Sequence, residues 1–256
     1  MLTLDEFKKF EIPLPYTTEG RLDRVHIGLV QLNTDHSLEM DWAKLIGTQA
    51  AVFSSRVFST SEMNPEALDT ITAGVSEATS LIAIGLPMDV MAFGCTSASI
   101  VIGEERVAEL LTKNRGDIPA TNPWAAAQAA FKHLGAQKIA VFAPYPTGVN
   151  YPLYQQLLEA GFDVPALGAL GIENDTDITT ISKESMLEGL GKLLPGSGAE
   201  VVFMSCTNLR ALDHIQEMED AFGVPIVTST TALFWHAMHL VGRKAQCPGY
   251  GKLLDQ

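Results

Sequence analysis

Two short motifs, each a cysteine-threonine pair placed just beyond an apolar strand-like run, constrain this chain more than anything else in it. The first reads Phe93-Gly94-Cys95-Thr96-Ser97 and the second Met204-Ser205-Cys206-Thr207-Asn208. Each is followed by a stretch of helical pattern. Other landmarks repeat with them. Gly28, in the first apolar run, lies 67 residues before Cys95, and Ala140, in a similar run, lies 66 before Cys206. After each cysteine come a proline-led strand start, a Thr/Ser/Asn turn and an aromatic helix. Trp124 and Trp235 each stand 29 residues beyond their cysteine. A repeat of this length implies two similar half-chains, with the two thiols facing one small molecule from opposite sides.

The pattern between these landmarks is alternating. Residues 25–30, 81–84, 88–93, 139–142 and 201–204 read as strands. Helical patterns run over 64–81, 99–113, 122–134, 152–160, 183–194 and 209–222. Such alternation predicts an α/β fold of two pseudo-symmetric lobes, each a mostly parallel sheet flanked by helices. The expected lobes are 1–118 plus 226–256 and 119–225, with the active site in the cleft between them. Ligands of such sheets bind beyond the carboxyl ends of the strands, where both cysteines fall.

Composition narrows the function. With 30 Asp and Glu against 17 Lys and Arg, the net charge is −13, which argues against nucleic acid. No apolar run approaches the ~20 residues of a membrane span. The first eleven residues mix charges and lack an apolar core, so no signal peptide is expected. Three cysteines make an odd count for a secreted disulfide framework, and the expectation is a cytoplasmic protein with reduced thiols. No Cys-x-x-Cys occurs, and His236 with His239 reads as packing, so no metal is expected. Cys247 has no counterpart in the repeat and reads as structural. Homo-oligomerisation is left open.

A thiol acts as base or nucleophile only as thiolate, and a cysteine at the first turn of a helix is expected to have a lowered pKa. Backbone donors and hydroxyls beside Cys95 and Cys206 can grip a carboxylate and stabilise the enediolate formed when its α-proton leaves. One thiolate then removes a proton from one face while the other thiol returns one to the opposite face. Alternatively, a thiolate adds covalently to an activated double bond.

At Gly94-Cys95-Thr96-Ser97-Ala98-Ser99, Ala143-Pro144-Tyr145, Ser205-Cys206-Thr207-Asn208-Leu209-Arg210 and the tail Pro248-Gly249-Tyr250-Gly251-Lys252-Leu253, the chain resembles the aspartate/glutamate racemase superfamily. Within it, the likeness is to the branch of maleate isomerase, arylmalonate decarboxylase and ectoine-utilisation protein A. The resemblance covers nearly the whole chain and implies a fold with pseudo-two-fold symmetry, without cofactor. It implies catalytic roles for Cys95 and Cys206, a carboxylate contact from Tyr145, and oxyanion contacts from Thr96, Ser97, Thr207 and Asn208. Asn174 falls near a substrate-binding asparagine of the isomerase, and its alternative is a turn residue.

Two departures inform the choice of reaction. The decarboxylase has glycine where Cys95 stands, which favours a two-thiol isomerase or racemase. After the first strand, Asp35 occupies the place of a substrate-binding asparagine, and Asn33 serves only if the turn is remodelled. A carboxylate about 4 Å from a substrate carboxylate would cost about 4 kcal/mol at an effective dielectric near 20. Asp35 therefore disfavours a dicarboxylate such as maleate and fits the ectoine-type cyclic amidines that the ectoine-utilisation resemblance implies. The alternative for Asp35 is a cap on the following segment. The rival readings are maleate cis-trans isomerase with Cys95 as covalent nucleophile, and a binding protein of the same fold without turnover.

Overall fold

The computed structural model describes residues 1–21, 23–60 and 65–255, with side chains left undescribed at 65–69. The elements in chain order are α1 (Leu4–Phe10), β1 (Val25–Leu32), α2 (Leu38–Ile46), β2 (Ala50–Val57), α3 (Pro65–Ser80), β3 (Val90–Gly94), α4 (Thr96–Ile102), α5 (Glu104–Thr112), β4 (Ala120–Thr121) and α6 (Pro123–His133). The second half continues with β5 (Ile139–Ala143), α7 (Thr147–Glu159), β6 (Leu167–Ala169), α8 (Asp175–Ile178), α9 (Lys183–Leu193), β7 (Val201–Met204), a 3₁₀ turn (Leu212–His214), α10 (Ile215–Phe222), β8 (Ile226–Thr228) and α11 (Ser229–Leu240).

The strands form two four-stranded parallel sheets in the orders β2-β1-β3-β4 and β6-β5-β7-β8. Helices cover both faces, so the central strands β1, β3, β5 and β7 are buried throughout. That explains their unbroken apolar sequences. One core cluster runs across both lobes and includes Trp42, Phe131, Phe203 and Phe234; a second, around Met91, Phe93 and Leu111, belongs to the first sheet.

Register makes the repeat explicit. Gly28 pairs with Met91 in the first sheet, and Ala140 with Val202 in the second. Each cysteine stands four residues beyond Met91 or Val202, so Cys95 and Cys206 are topologically equivalent. Pro119 and Pro225 are equivalent too: Met91 N–H donates to Pro119 O and Val202 N–H to Pro225 O, both at 2.9 Å. A proline that accepts but cannot donate suits the start of an edge strand.

The same register corrects several expectations. The matched 29-residue spacing to tryptophan does not mark equivalent positions, since Trp124 stands at the start of α6 and Trp235 in the middle of α11. Residues 81–84 form a turn, not a strand, and the described part of α3 begins at Pro65; the expected start at Asn64 lies outside the described residues. The helix expected over 99–113 is two helices, α4 and α5, because Gly103 between them has φ +90°, a conformation that Cβ disfavours. β2, β6 and α2 were not anticipated. The sheets also divide the chain at neither expected boundary: β4 lies beyond 118 yet pairs with β3, and β8 lies beyond 225 yet pairs with β7. α11, by contrast, reaches back to pack on α2 and β3 as well as on α6.

Candidate active site

In each sheet the chain leaves the first central strand toward one edge and returns on its other side. This creates a switch point at the carboxyl ends of β1 and β3, and of β5 and β7, where ligands bind. The residues just beyond those four ends are Asp35, Cys95, Tyr145 and Cys206. Cys95, Cys206, Tyr145 and Asp35 are all buried.

Two hydroxyls stitch the cysteine segments together. Ser229 Oγ accepts from Thr96 Oγ1 at 2.8 Å and from Cys206 N–H at 3.1 Å. Thr207 Oγ1 contacts Asp35 Oδ2 at 2.8 Å and Gly94 O at 3.2 Å. A Cβ at Gly94 would come within 2.5 Å of Leu38 Cδ2, so a larger residue there would force the Leu38 side chain to move. Asn208 is a hub. Its amide donates to Thr34 O (3.1 Å) and Asp175 O (2.9 Å), and its Oδ1 accepts from His36 N–H (2.9 Å). Its backbone N–H points at Cys206 Sγ, 3.4 Å away. Ser97 Oγ lies 3.6 Å from Cys95 Sγ. Ser205 Oγ lies 3.4 Å from Tyr145 Oη, and Asn150 Nδ2 holds the Tyr145 carbonyl at 2.7 Å.

The two cysteines are equivalent in topology and different in backbone. Cys95 caps α4 with φ −147°. Cys206 has φ +101°, which a residue with a Cβ adopts only when its surroundings enforce it. No helix starts at Cys206; turns carry the chain to the 3₁₀ turn and α10. The expected lowering of the thiol pKa values is overturned in this state. Burial pushes the Cys95 thiol up to about 12, outweighing the Ala98 N–H at the start of α4 and the Ser97 hydroxyl. Burial likewise lifts Cys206 well above its ordinary value. The charge of Asp175 adds to that lift, while Tyr145 and the Asn208 N–H oppose it. Tyr145 is raised for the same reason, burial first and the thiols next.

Two carboxylates share this dry site. Asp35 Oδ1 accepts the N–H groups of Ser37 (2.9 Å) and Leu38 (2.8 Å), which makes it a cap on α2 as well as a neighbour of Thr207. Its pKa is raised by burial against those hydrogen bonds and Arg56. Asp175 Oδ2 accepts from Thr34 Oγ1 at 2.7 Å, and burial, with help from Asp35, lifts it to about 6. Among the described residues no Lys or Arg forms an ion pair with either.

Cys95, Cys206, Thr96, Ser97, Tyr145, Thr207, Asn208 and Asp35 therefore come together. Asn33 does not: it is exposed, and its Oδ1 takes the N–H of Ser59 at 2.6 Å. Asn174 is the turn residue of its alternative reading, capping α8 through the N–H (3.0 Å) and hydroxyl (2.7 Å) of Thr176. Its neighbour Asp175 is the buried group, one residue further along. Thr34 and Ser229 were also missed; Ser229 lies in a turn recognised only as a repeat landmark. Among the described residues no group of three or more His, Cys, Asp or Glu is placed to hold a metal, and no described helix is long and apolar enough to cross a membrane. His236 lies away from this site, hydrogen-bonded to Thr121 at 2.8 Å and flanked by Trp235 and His239. Cys247 is buried beside Gln49 and Leu45.

The family model described as arylmalonate decarboxylase matches residues 27–254. Arylmalonate decarboxylase of Bordetella bronchiseptica is 33% identical over 144 residues, 54% of this chain and 59% of that one. Maleate isomerase of Nocardia farcinica is 24% identical over 241 residues, 90% of this chain and 95% of that one. The solved Nocardia farcinica maleate cis-trans isomerase, a mutant with a covalently bound succinylcysteine intermediate, superposes with a TM-score of 0.80 at 23% identity, covering 90% of this chain and 98% of that one. Unliganded arylmalonate decarboxylase gives 0.73 at 22% identity, covering 90% and 99%. These likenesses establish the fold of two parallel sheets.

Proposed function

The chain belongs to the arylmalonate decarboxylase family, and from that premise we propose that it is a cofactor-independent two-cysteine isomerase or racemase of a small carboxylate. The observation that carries this reading is the placement of Cys95 and Cys206 at equivalent strand ends, tied through Ser229 and Thr207. In the racemase form, the thiolate of one cysteine takes the α-proton and becomes a thiol. The electron pair moves into the carboxylate as an enediolate, and the other thiol delivers its proton to the opposite face. The Tyr145 hydroxyl and the backbone N–H groups of Thr96 and Ser97 meet the developing charge. Thr207 and the Asn208 amide, committed to Asp35, Thr34 and Asp175, position the second cysteine.

Burial holds both thiols above their ordinary range, so a substrate has to help generate the thiolate. A cationic substrate nitrogen lowers a neighbouring thiol pKa, whereas a second carboxylate raises it. With Asp35 and Asp175 already in the site, the fitting substrate carries one carboxylate and one cationic nitrogen, as ectoine-type amidines do. A second reading has support from the Nocardia isomerase with its succinylcysteine: Cys95 adds to maleate, the single bond rotates, and elimination returns the thiolate.

The test is proton NMR in D2O on ectoine, hydroxyectoine, aspartate, glutamate, maleate and arylmalonate, with Cys95→Ser and Cys206→Ser as controls. Deuterium entering an α-position only when both thiols are present supports the two-base reading. Conversion of maleate, with an adduct on Cys95 detected by mass spectrometry, supports the second. Thermal stabilisation by a substrate that never exchanges or isomerises would make the protein a binding protein and overturn both.

A further inference from the structure

The family model begins at residue 27, so the segment before it is an addition to the family's own fold. This segment is an arm. α1 opens it, and residues 11–20 continue it without helix or strand. Its root is pinned to the body twice, by Arg21 pairing with Asp89 and by Arg243 pairing with Asp23 at 2.7 Å. Outward from that root, every residue from 1 to 20 is exposed. Pro13 and Pro15 stiffen the connecting segment, which at ~3.3 Å per residue reaches up to about 33 Å.

The arm is apolar although it touches so little of its own body. Leu4, Phe7, Phe10, Ile12, Leu14 and Tyr16 are exposed by between 46% (Phe7) and 87% (Tyr16). α1 is well formed, with a capping box from Thr3 and Glu6 and the rings of Phe7 and Phe10 6.3 Å apart. Its seven residues are only about half of what an isolated helix needs in water, so a covering surface has to sustain it. The six side chains, three of them aromatics worth ~150–250 Å² each when buried, carry on the order of 800 Å². That is about one partner's share of a stable interface.

A matching patch lies on the same chain beside the root. The turn Leu81-Ile82-Ala83-Ile84-Gly85-Leu86 ends three residues before Asp89. Turns are ordinarily built from polar residues. This one has no polar side chain, and Leu81 and Ile84 are 65% and 83% exposed. Arg115 holds its backbone through Thr79 O at 2.6 Å and through Ile82 O, so the patch is preformed. Charge complements shape. Arg24 beside the root, and Glu11 and Glu19 along the arm, make no ion pair among the described residues. An anionic membrane is a poor match, because Lys8, Lys9 and Arg21 are outnumbered by Asp5, Glu6, Glu11 and Glu19.

We propose that the arm docks on a second copy of this chain, covering the apolar 81–86 turn of that copy while the other arm returns the contact. Root and turn are neighbours within one copy. A two-fold axis beside them therefore lays each arm over the other copy's turn, and the exchange closes with two chains. The contact is independent of the reaction at the cysteines.

Sedimentation velocity of the full chain between about 1 and 100 μM tests this. The expected result is a dimer whose dissociation constant rises about tenfold or more in a Phe7→Asp, Phe10→Asp arm variant and in a Leu81→Asp, Ile84→Asp turn variant. All four positions are exposed, and thermal melts confirm that both variants are folded. Mixing the two variants restores association, because the arm of one meets the intact turn of the other. A wild-type monomer throughout the range overturns the proposal, and so does a dimer unmoved by either variant. Weakening by the arm variant alone, or no recovery on mixing, overturns the reciprocal exchange. A monomer that co-sediments with phosphatidylserine vesicles through the arm would give the arm to a membrane instead and overturn it too.

Discussion

The Thr207 hydroxyl lies 2.8 Å from Asp35 Oδ2, joining the residue after the second cysteine to the turn after the first strand. That bond crosses between the lobes, since Asp35 follows β1 and Thr207 follows β7. It also completes the shell of Asp35, whose other oxygen is taken by two backbone N–H groups. Thr207→Val keeps the shape and leaves Asp35 Oδ2 buried without a donor. The expected cost is about 1–3 kcal/mol in urea unfolding. Asp35→Asn is expected to cost activity on a zwitterionic substrate more than on a dicarboxylate. Equal losses on the two substrate classes would leave Asp35 as a helix cap and nothing more.

The backbone difference between the two cysteines gives a test that needs no substrate. Cys206 holds φ +101° and Cys95 holds φ −147°. At 206 glycine relieves strain that alanine keeps, so Cys206→Gly should be more stable than Cys206→Ala by about 1 kcal/mol or more. At 95, where any residue is comfortable, Cys95→Gly should be less stable than Cys95→Ala by about 0.5–1 kcal/mol. Chemical denaturation of the four variants reads both differences. Alanine winning at both positions would remove the strain from Cys206.

Much of this was legible beforehand, and the exceptions have physical causes. The fold class and both cysteines could be read because parallel strands buried on two faces spell unbroken apolar runs, and because the duplication set Gly28 and Ala140 at matching distances. β2 was passed over because its short apolar start, Ala-Ala-Val-Phe, gives way to Ser-Ser-Arg in the more exposed half of an edge strand. The thiol pKa values came out opposite to expectation because sequence shows which residues follow a cysteine but not how dry its site is. Asp175 was passed over for Asn174 because one of the two caps the short α8 and the other points inward, and adjacent polar residues in a turn carry no signal of which does which.

Protected thiols should also be slow thiols. With burial pushing Cys95 up to about 12, its thiolate is scarce at pH 7, far below the ~3% of a free cysteine. Iodoacetamide should therefore label Cys95, Cys206 and Cys247 far more slowly in the native protein than after unfolding, with peptide mass spectrometry reading each site. Addition of a turned-over substrate analogue bearing a cationic nitrogen should raise the intrinsic reactivity of a site cysteine wherever it does not block access. Rapid alkylation of Cys95 in the empty protein at neutral pH would contradict the dry, protonated resting state.

Asp41 and Asp175, two of the carboxylates that burial lifts, give stability a pH dependence. Burial lifts Asp41 to about 7, with Lys44 and Arg210 pulling it down and Asp213 and Asp35 pushing it up. Asp175 stands at about 6. Both lie above the ~3.9 of an unfolded aspartate. The folded protein thus holds protons that the unfolded chain has released between pH ~4 and pH ~7. Stability is highest near the lower end of that window and falls as pH rises through it, by up to about 1.4 kcal/mol per pH unit for each group while it titrates. Groups held below their ordinary values act in the opposite sense: Asp89 beside Arg21 and Glu39 beside Arg56 only toward lower pH, and His236, which burial lowers to about 4, between pH ~4 and pH ~6.5, where it offsets part of the fall. Melting curves should show the protein losing stability from pH 5 to pH 8, and Asp41→Asn and Asp175→Asn should each flatten that fall, with the gain over wild type largest at pH 8. A wild-type melting temperature that climbs across this range, with neither asparagine variant changing its slope, would mean that both carboxylates ionise freely in the folded state.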